Sequence, residues 1–153
     1  MTISRGMASM PCKKAIIDRF VSSKKSKLIL LVVSDLDPAG DAIAEDLVKC
    51  FRRDFGIGTN PDPSSNHFNI EAYKVALTYD QVAQHMLEPS MDAKENSPTY
   101  QKFVDTYGIT EAYELEAMEP KILEETLSEA IERLWISMRT IRSLQQRNRT
   151  QLR

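Results

Sequence analysis

Two aspartates one residue apart, Asp35 and Asp37, follow directly on an apolar run, and Gly40 comes three residues later. A carboxylate pair of this kind is what Mg²⁺ takes from a protein. The ion binds through one or two carboxylates and keeps waters and substrate phosphates at its other positions. It would neutralise phosphate charge and polarise a P–O bond. Mn²⁺ fits the same oxygen donors. Acids at the end of an apolar strand are costly if they are buried without a partner. A cation satisfies them, and so does capping of the turn and the next helix. On these two residues alone, metal binding and capping stand level. Gly40 allows close approach of backbone to metal or substrate. Asp41, Glu45 and Asp46 come next, at a helix start that favours negative charge.

The flanking segments place this loop. Residues 27–34 (KLILLVVS) form a continuous β-rich apolar run, which predicts a strand buried on both faces of a parallel sheet. Pro38 suits the first turn of a helix. That helix is expected to run to about Arg53, with Ile43, Leu47, Cys50 and Phe51 as its buried stripe. Before the strand, residues 12–22 read as a short helix with Ala15, Ile16, Phe20 and Val21 on its apolar face. Residues 59–69 are rich in Pro, Ser and Asn and read as a loop. Residues 70–77 (IEAYKVAL) alternate and read as a second strand. Thr78 and Gln81 have the spacing of a capping box. Residues 88–97 read as irregular and 98–107 as helix, stopped by Gly108. Residues 112–117 read as a short strand. Pro120 opens a long helix with Ile122, Leu123, Leu127, Ala130, Ile131, Leu134, Trp135 and Met138 on its apolar face. Beyond Leu144 the chain is polar and is expected to fray. The alternation predicts an α/β fold, a mostly parallel sheet flanked by helices, with a long C-terminal helix. One domain over residues 1–144 and a polar basic tail over 145–153 are expected.

Composition narrows the function classes. The chain has 153 residues, 42% hydrophobic and 27% charged, as an ordinary folded domain has. Its longest apolar run is six residues, 28–33, too short to span a bilayer. The polar N-terminus lacks a signal-peptide core. No membrane association and a cytoplasmic location are therefore expected. Cys12 and Cys50 form no CxxC motif, and the only histidines are His67 and His85; free thiols are expected rather than zinc. The net charge of −2 does not announce a nucleic-acid binder, but its distribution is uneven. Residues 111–132 hold eight glutamates and one lysine, and residues 133–153 hold six arginines and no acid. A basic segment can meet phosphates or an acidic partner. It can equally be a solvated helix end whose cations suit the dipole.

The string Asp35-Leu36-Asp37-Pro38-Ala39-Gly40 between a strand and a helix resembles the DxDPxG signature of the Toprim domain, shared by topoisomerases, primases and some nucleases. The resemblance lies nearest the A subunit of type IIB topoisomerases and Toprim-like proteins of phages and mobile elements. Ser4-Arg5-Gly6-Met7-Ala8-Ser9 is similar to an Arg-Gly-x-x-Ser segment of that group. Residues 75–82 and 113–120 resemble two further segments, in the right order. The resemblance implies a Rossmann-like Toprim fold, Mg²⁺ (or Mn²⁺) held by Asp35 and Asp37 with Glu116 as a further acid, and a nucleic-acid partner, DNA first. It implies phosphate or nucleic-acid contacts at Arg5, a planar donor, and at Gly40. The Toprim glutamate on the first strand has no match. The only acid before Asp35 is Asp18, in a predicted helix. The expectation is a chain that starts after that strand, as part of a larger protein, or a divergent domain.

Three readings follow. One is a Mg²⁺-dependent domain for nucleic-acid strand cleavage or transfer, with its glutamate and nucleophile supplied from elsewhere. A second is a non-catalytic module of the same fold that binds DNA, metal or a protein. There the acidic and basic halves of the C-terminal region would serve a homodimer or a partner subunit. The third is a phosphatase of the haloacid dehalogenase type, from whose pattern Pro38-Ala39-Gly40 departs. The five tyrosines are expected in packing or at the surface, none as nucleophile, and Trp135 in a helix core.

Overall fold

The computed structural model describes residues 9–57 and 69–151, with side chains described through 137 and at 139. The chain divides into two compact units, Met1–Ala117 and Met118–Arg153. The first carries helix α1 (Met10–Ser22), strand β1 (Lys27–Val33), helix α2 (Pro38–Phe55), strand β2 (Asn69–Ala76), helix α3 (Tyr79–Gln84), strand β3 (Met91–Asp92), helix α4 (Tyr100–Tyr107) and strand β4 (Glu111–Ala112). One 3₁₀ turn, Leu115–Ala117, closes it. The second is one long helix, α5 (Pro120–Gln151).

The mixed α/β class expected from the alternation stands, but the sheet is smaller than expected. Strands β1 and β2 pair in parallel, with Leu28 opposite Ile70, Leu30 opposite Ala72 and Val32 opposite Lys74. The register then slips, and Val33 lies opposite Ala76. Strands β3 and β4 form a separate antiparallel pair. Among the described residues each sheet therefore has two strands. This corrects the expectation that β1 is buried on both faces. Only Val32 is fully buried and the rest of the strand is half-buried, because a two-stranded sheet cannot shield both faces as a wide parallel sheet does.

Helix α2 covers one face. Phe51 is wholly inaccessible and packs with Ile17, Phe20, Ile57 and Ile70; Leu28, Leu30 and Leu47 lean on the cluster. Pro38 occupies the first turn of α2, and Gly56 ends it in the left-handed conformation with φ of 64°, which costs a glycine nothing. In α1 the buried stripe is Lys13, Ile17 and Phe20, with the lysine stem covering apolar surface. Ala15 and Val21, expected on that face, are exposed. The 13/17/20 stripe satisfies the helical period and theirs lies beside it.

The capping box is present as read: Thr78 and Gln81 exchange bonds at the start of α3. Helix α4 stops at Gly108. The strand expected over 112–117 is shorter and lies earlier, at Glu111–Ala112, with a 3₁₀ turn after it. The expected loop at 59–69 lies almost wholly outside the described residues.

Helix α5 extends to Gln151, past the point where fraying was expected. Leu123, Leu127, Ala130 and Leu134 are half-buried. Ile131 and Trp135, expected on the same core face, are 56% and 63% exposed. Helical geometry turns them away from the 123/127/130/134 stripe.

Candidate metal centre

The ladder between β1 and β2 continues one residue past the strands: the Ser34 amide donates to the Ala76 carbonyl, and the Leu77 amide to the Ser34 carbonyl. Asp35 is the first residue beyond these bonds. Leu36 follows and is completely buried. It also pairs with Tyr113: the Leu36 amide donates to the Tyr113 carbonyl at 2.9 Å, and the Tyr113 amide returns the bond at 3.0 Å. In extended backbone, neighbouring side chains point to opposite sides. A leucine anchored in the interior therefore turns Asp35 and Asp37 outward on either side of it.

Each aspartate is then held by a backbone amide. Asp35 Oδ1 accepts from the Leu115 amide at 2.8 Å. Asp37 Oδ1 accepts from the Gly40 amide at 2.5 Å and caps α2. The capping alternative is thus realised at Asp37, and it occupies only one carboxylate oxygen. The second oxygen of each aspartate makes no hydrogen bond among the described residues. Both aspartates line one open cavity of about 160 Å³, together with Asp92, Lys94, Tyr113 and Glu114. That is space for a few waters at about 30 Å³ each. It is well below the roughly 300 Å³ at which pockets for organic ligands begin. The dimensions suit a hydrated ion or one phosphate.

Gly40 is buried, and a Cβ added there would lie 2.3 Å from the Asp35 carbonyl oxygen. The close approach that this glycine permits is of α2 to its own loop. Ser34 Oγ donates to the Gly40 carbonyl at 2.9 Å, and Thr99 Oγ1 donates to the Pro38 carbonyl at 2.6 Å. The loop is thus bonded to β2, to Tyr113 and Leu115, to Thr99 and to α2 itself.

Behind it sits a cation that sequence reading passed over. Lys74 Nζ donates to the Asp35 carbonyl oxygen at 2.8 Å and lies 3.6 Å from Asp41 Oδ1. Its side chain is only 12% exposed. Burial pushes its pKa down, against the pull of Asp41, Asp37 and Asp35. Tyr107 donates to the same Asp41 oxygen at 2.8 Å. Burial first, then that bond, pushes the Tyr107 phenol up to about 12. The signal for Lys74 was present in the alternation: it follows Ile70 and Ala72 at steps of two, on an apolar strand face where a lysine needs an acceptor. Asp92 and Lys94 carried no such signal, since they lie in a stretch read as irregular.

The other acids of this unit scatter. Glu116 is exposed on the 3₁₀ turn, and the acid of that segment that lines the cavity is Glu114. Glu71 pairs with Lys27 at 2.8 Å, and Glu45 pairs with Lys49 and Lys102, each at 2.7 Å. The Lys102 bond, with Lys49 beside it, takes Glu45 down to about 2. Arg5 lies outside the described residues. Cys12 and Cys50 are free thiols, as expected. Among the described residues no three or more His, Cys, Asp or Glu side chains converge on one point. A closed protein cage for a metal is therefore absent among the described residues, and the oxygens open to a cation in this cavity are those that Asp35 and Asp37 leave without a hydrogen bond.

No protein-family model, no curated protein and no solved structure matches this chain. No helix among the described residues is long and apolar enough to cross a membrane.

Proposed function

We propose that the chain is a Toprim-type nucleic-acid-processing domain, working with Mg²⁺ or Mn²⁺ at Asp35 and Asp37 and with DNA as its partner. One observation carries the reading: the two carboxylates flank a fully buried leucine at the end of a parallel strand, and both open into one small cavity. The crevice beyond the carboxyl ends of strands is where α/β sheets bind ligands. When bound, the cation would neutralise phosphate charge and polarise a P–O bond. The chain's own residues set the stage. Asp35 and Asp37 would hold the ion with the oxygens that make no hydrogen bond. Lys74 fixes the loop from behind through the Asp35 carbonyl. Lys94, on the cavity wall, offers a charge to a phosphate.

A non-catalytic module of the same kind is the second reading. It is favoured by the lack of a third converging acid among the described residues and by the unmatched first-strand glutamate.

The test is calorimetric titration of the native chain and of Asp35→Asn/Asp37→Asn with Mg²⁺ and Mn²⁺. Asparagine at 37 still caps a helix, so the variant keeps its fold. Saturable binding that disappears in the variant is the expected result. It leads directly to nicking of supercoiled DNA: cleavage supports the first reading, and DNA binding without cleavage the second. Absence of cation binding to the native chain would reduce the aspartates to turn and helix caps.

A further inference from the structure

Helix α5 carries a surface that matches itself. Ile131 and Trp135 sit one turn apart, 56% and 63% exposed. Exposed apolar side chains rimmed by polar ones are the form an interaction surface takes when they make a contiguous patch. Their position is informative, because the charge of the helix inverts between Glu132 and Arg133. The apolar pair therefore straddles the boundary between an acidic half and a basic half. Within the first half and at the boundary, Glu124, Glu125 and Glu132 are exposed and form no ion pair among the described residues, and neither does Arg139. The ion pair described on this helix, Arg133 with Glu129 at 3.3 Å, is a local one.

The spacing completes the picture. Glu124, Ile131, Trp135 and position 142, an arginine, follow one another at steps of 7, 4 and 7 residues. Steps of seven and four both return to nearly the same helix face. The pattern reads the same from either end, except that the charge changes sign. An antiparallel copy centred on residue 133 thus sets Ile131 against Trp135 and Glu124 against position 142, twice. Self-complementarity of one patch under a two-fold axis is the condition for an isologous dimer. The 32-residue helix spans roughly four heptads, long enough for a two-helix seam. A parallel pairing would instead oppose glutamates to glutamates.

We infer that α5 is an antiparallel self-association surface, with a second copy of this chain as its occupant. This does not depend on the metal reading.

The experiment is sedimentation of the full chain by analytical ultracentrifugation across a concentration series, with emission of Trp135, the single tryptophan, recorded in parallel. A dimer is expected, with Trp135 emission shifting to the blue as it forms. Raising salt from about 50 mM to about 500 mM should weaken it several-fold, because attraction between exposed charges is screened. Ile131→Ser/Trp135→Ser should be monomeric with unchanged helix content, since both side chains are exposed. Glu124→Arg alone and Arg142→Glu alone should weaken the dimer, and the double swap should restore it. A monomer at every concentration would overturn the inference. So would a dimer that persists in the serine variant, one strengthened by salt, or a double swap without rescue. A monomer whose Trp135 emission shifts only when duplex DNA is added would assign the face to nucleic acid instead.

Discussion

At Gly40 a single hydrogen atom decides whether the acidic loop can close. A Cβ there meets the Asp35 carbonyl oxygen at 2.3 Å, and that atom is backbone, held in turn by Lys74. Backbone cannot swing aside as the end of a side chain can. Gly40→Ala should therefore cost about 2 kcal/mol, as overpacking does, read from the urea midpoint. Tyr107 allows a pH test. Its phenol is raised from 10.0 to about 12, so the fold favours the neutral form. The associated stability is complete below pH 10 and is lost as pH rises from 10 towards 12. Tyr107→Phe should lose about 1 kcal/mol near neutrality, for one hydrogen bond to a partly buried carboxylate. Its stability should then fall less steeply than that of the native chain over the alkaline window. Denaturant titrations at several pH values, compared between the two proteins, give the difference directly.

At the scale of elements, local chemistry was most legible where a backbone requirement and a side chain coincide. Thr78 and Gln81 satisfy each other's amides whatever lies around them, and the box is found where the spacing put it. Thr78→Ala should destabilise by about 1 kcal/mol, measurable by thermal or urea unfolding. Helix α2 was legible for the same reason, with proline at its first turn and a left-handed glycine at its end. The segment after Gly108 was not. Residues 111–117 make one short antiparallel pairing, a bridge to Leu36 and a 3₁₀ turn. Their strand and bridge partners, Asp92, Met91 and Leu36, are distant in sequence, so no local period records them.

For the molecule as a whole, the organising contact is between α2 and the parallel pair, with α1 alongside. Phe51 sits at its centre with no exposed surface. Phe51→Ala should cost about 3–5 kcal/mol and lower the unfolding midpoint accordingly. A variant on the exposed face of α5 should lower that midpoint only through loss of the dimer, by an amount that depends on protein concentration, which separates core from surface in one comparison.

From the residues alone came the α/β class, the strand that delivers the acids, the helix that follows them, and Asp35 and Asp37 as the place where chemistry would sit. These rest on near-neighbour effects: apolar runs, caps and the cost of an acid at a strand end. Tertiary structure alone decided which acids share a cavity. It joined Asp92 and Glu114 to the pair and left Glu116 outside. It set Lys74 behind the loop and turned Ile131 and Trp135 to the surface. Those outcomes depend on register, on a bridge between residues 36 and 113, and on which side of a helix finds a neighbour. None of the three is written in the spacing of residues along the chain.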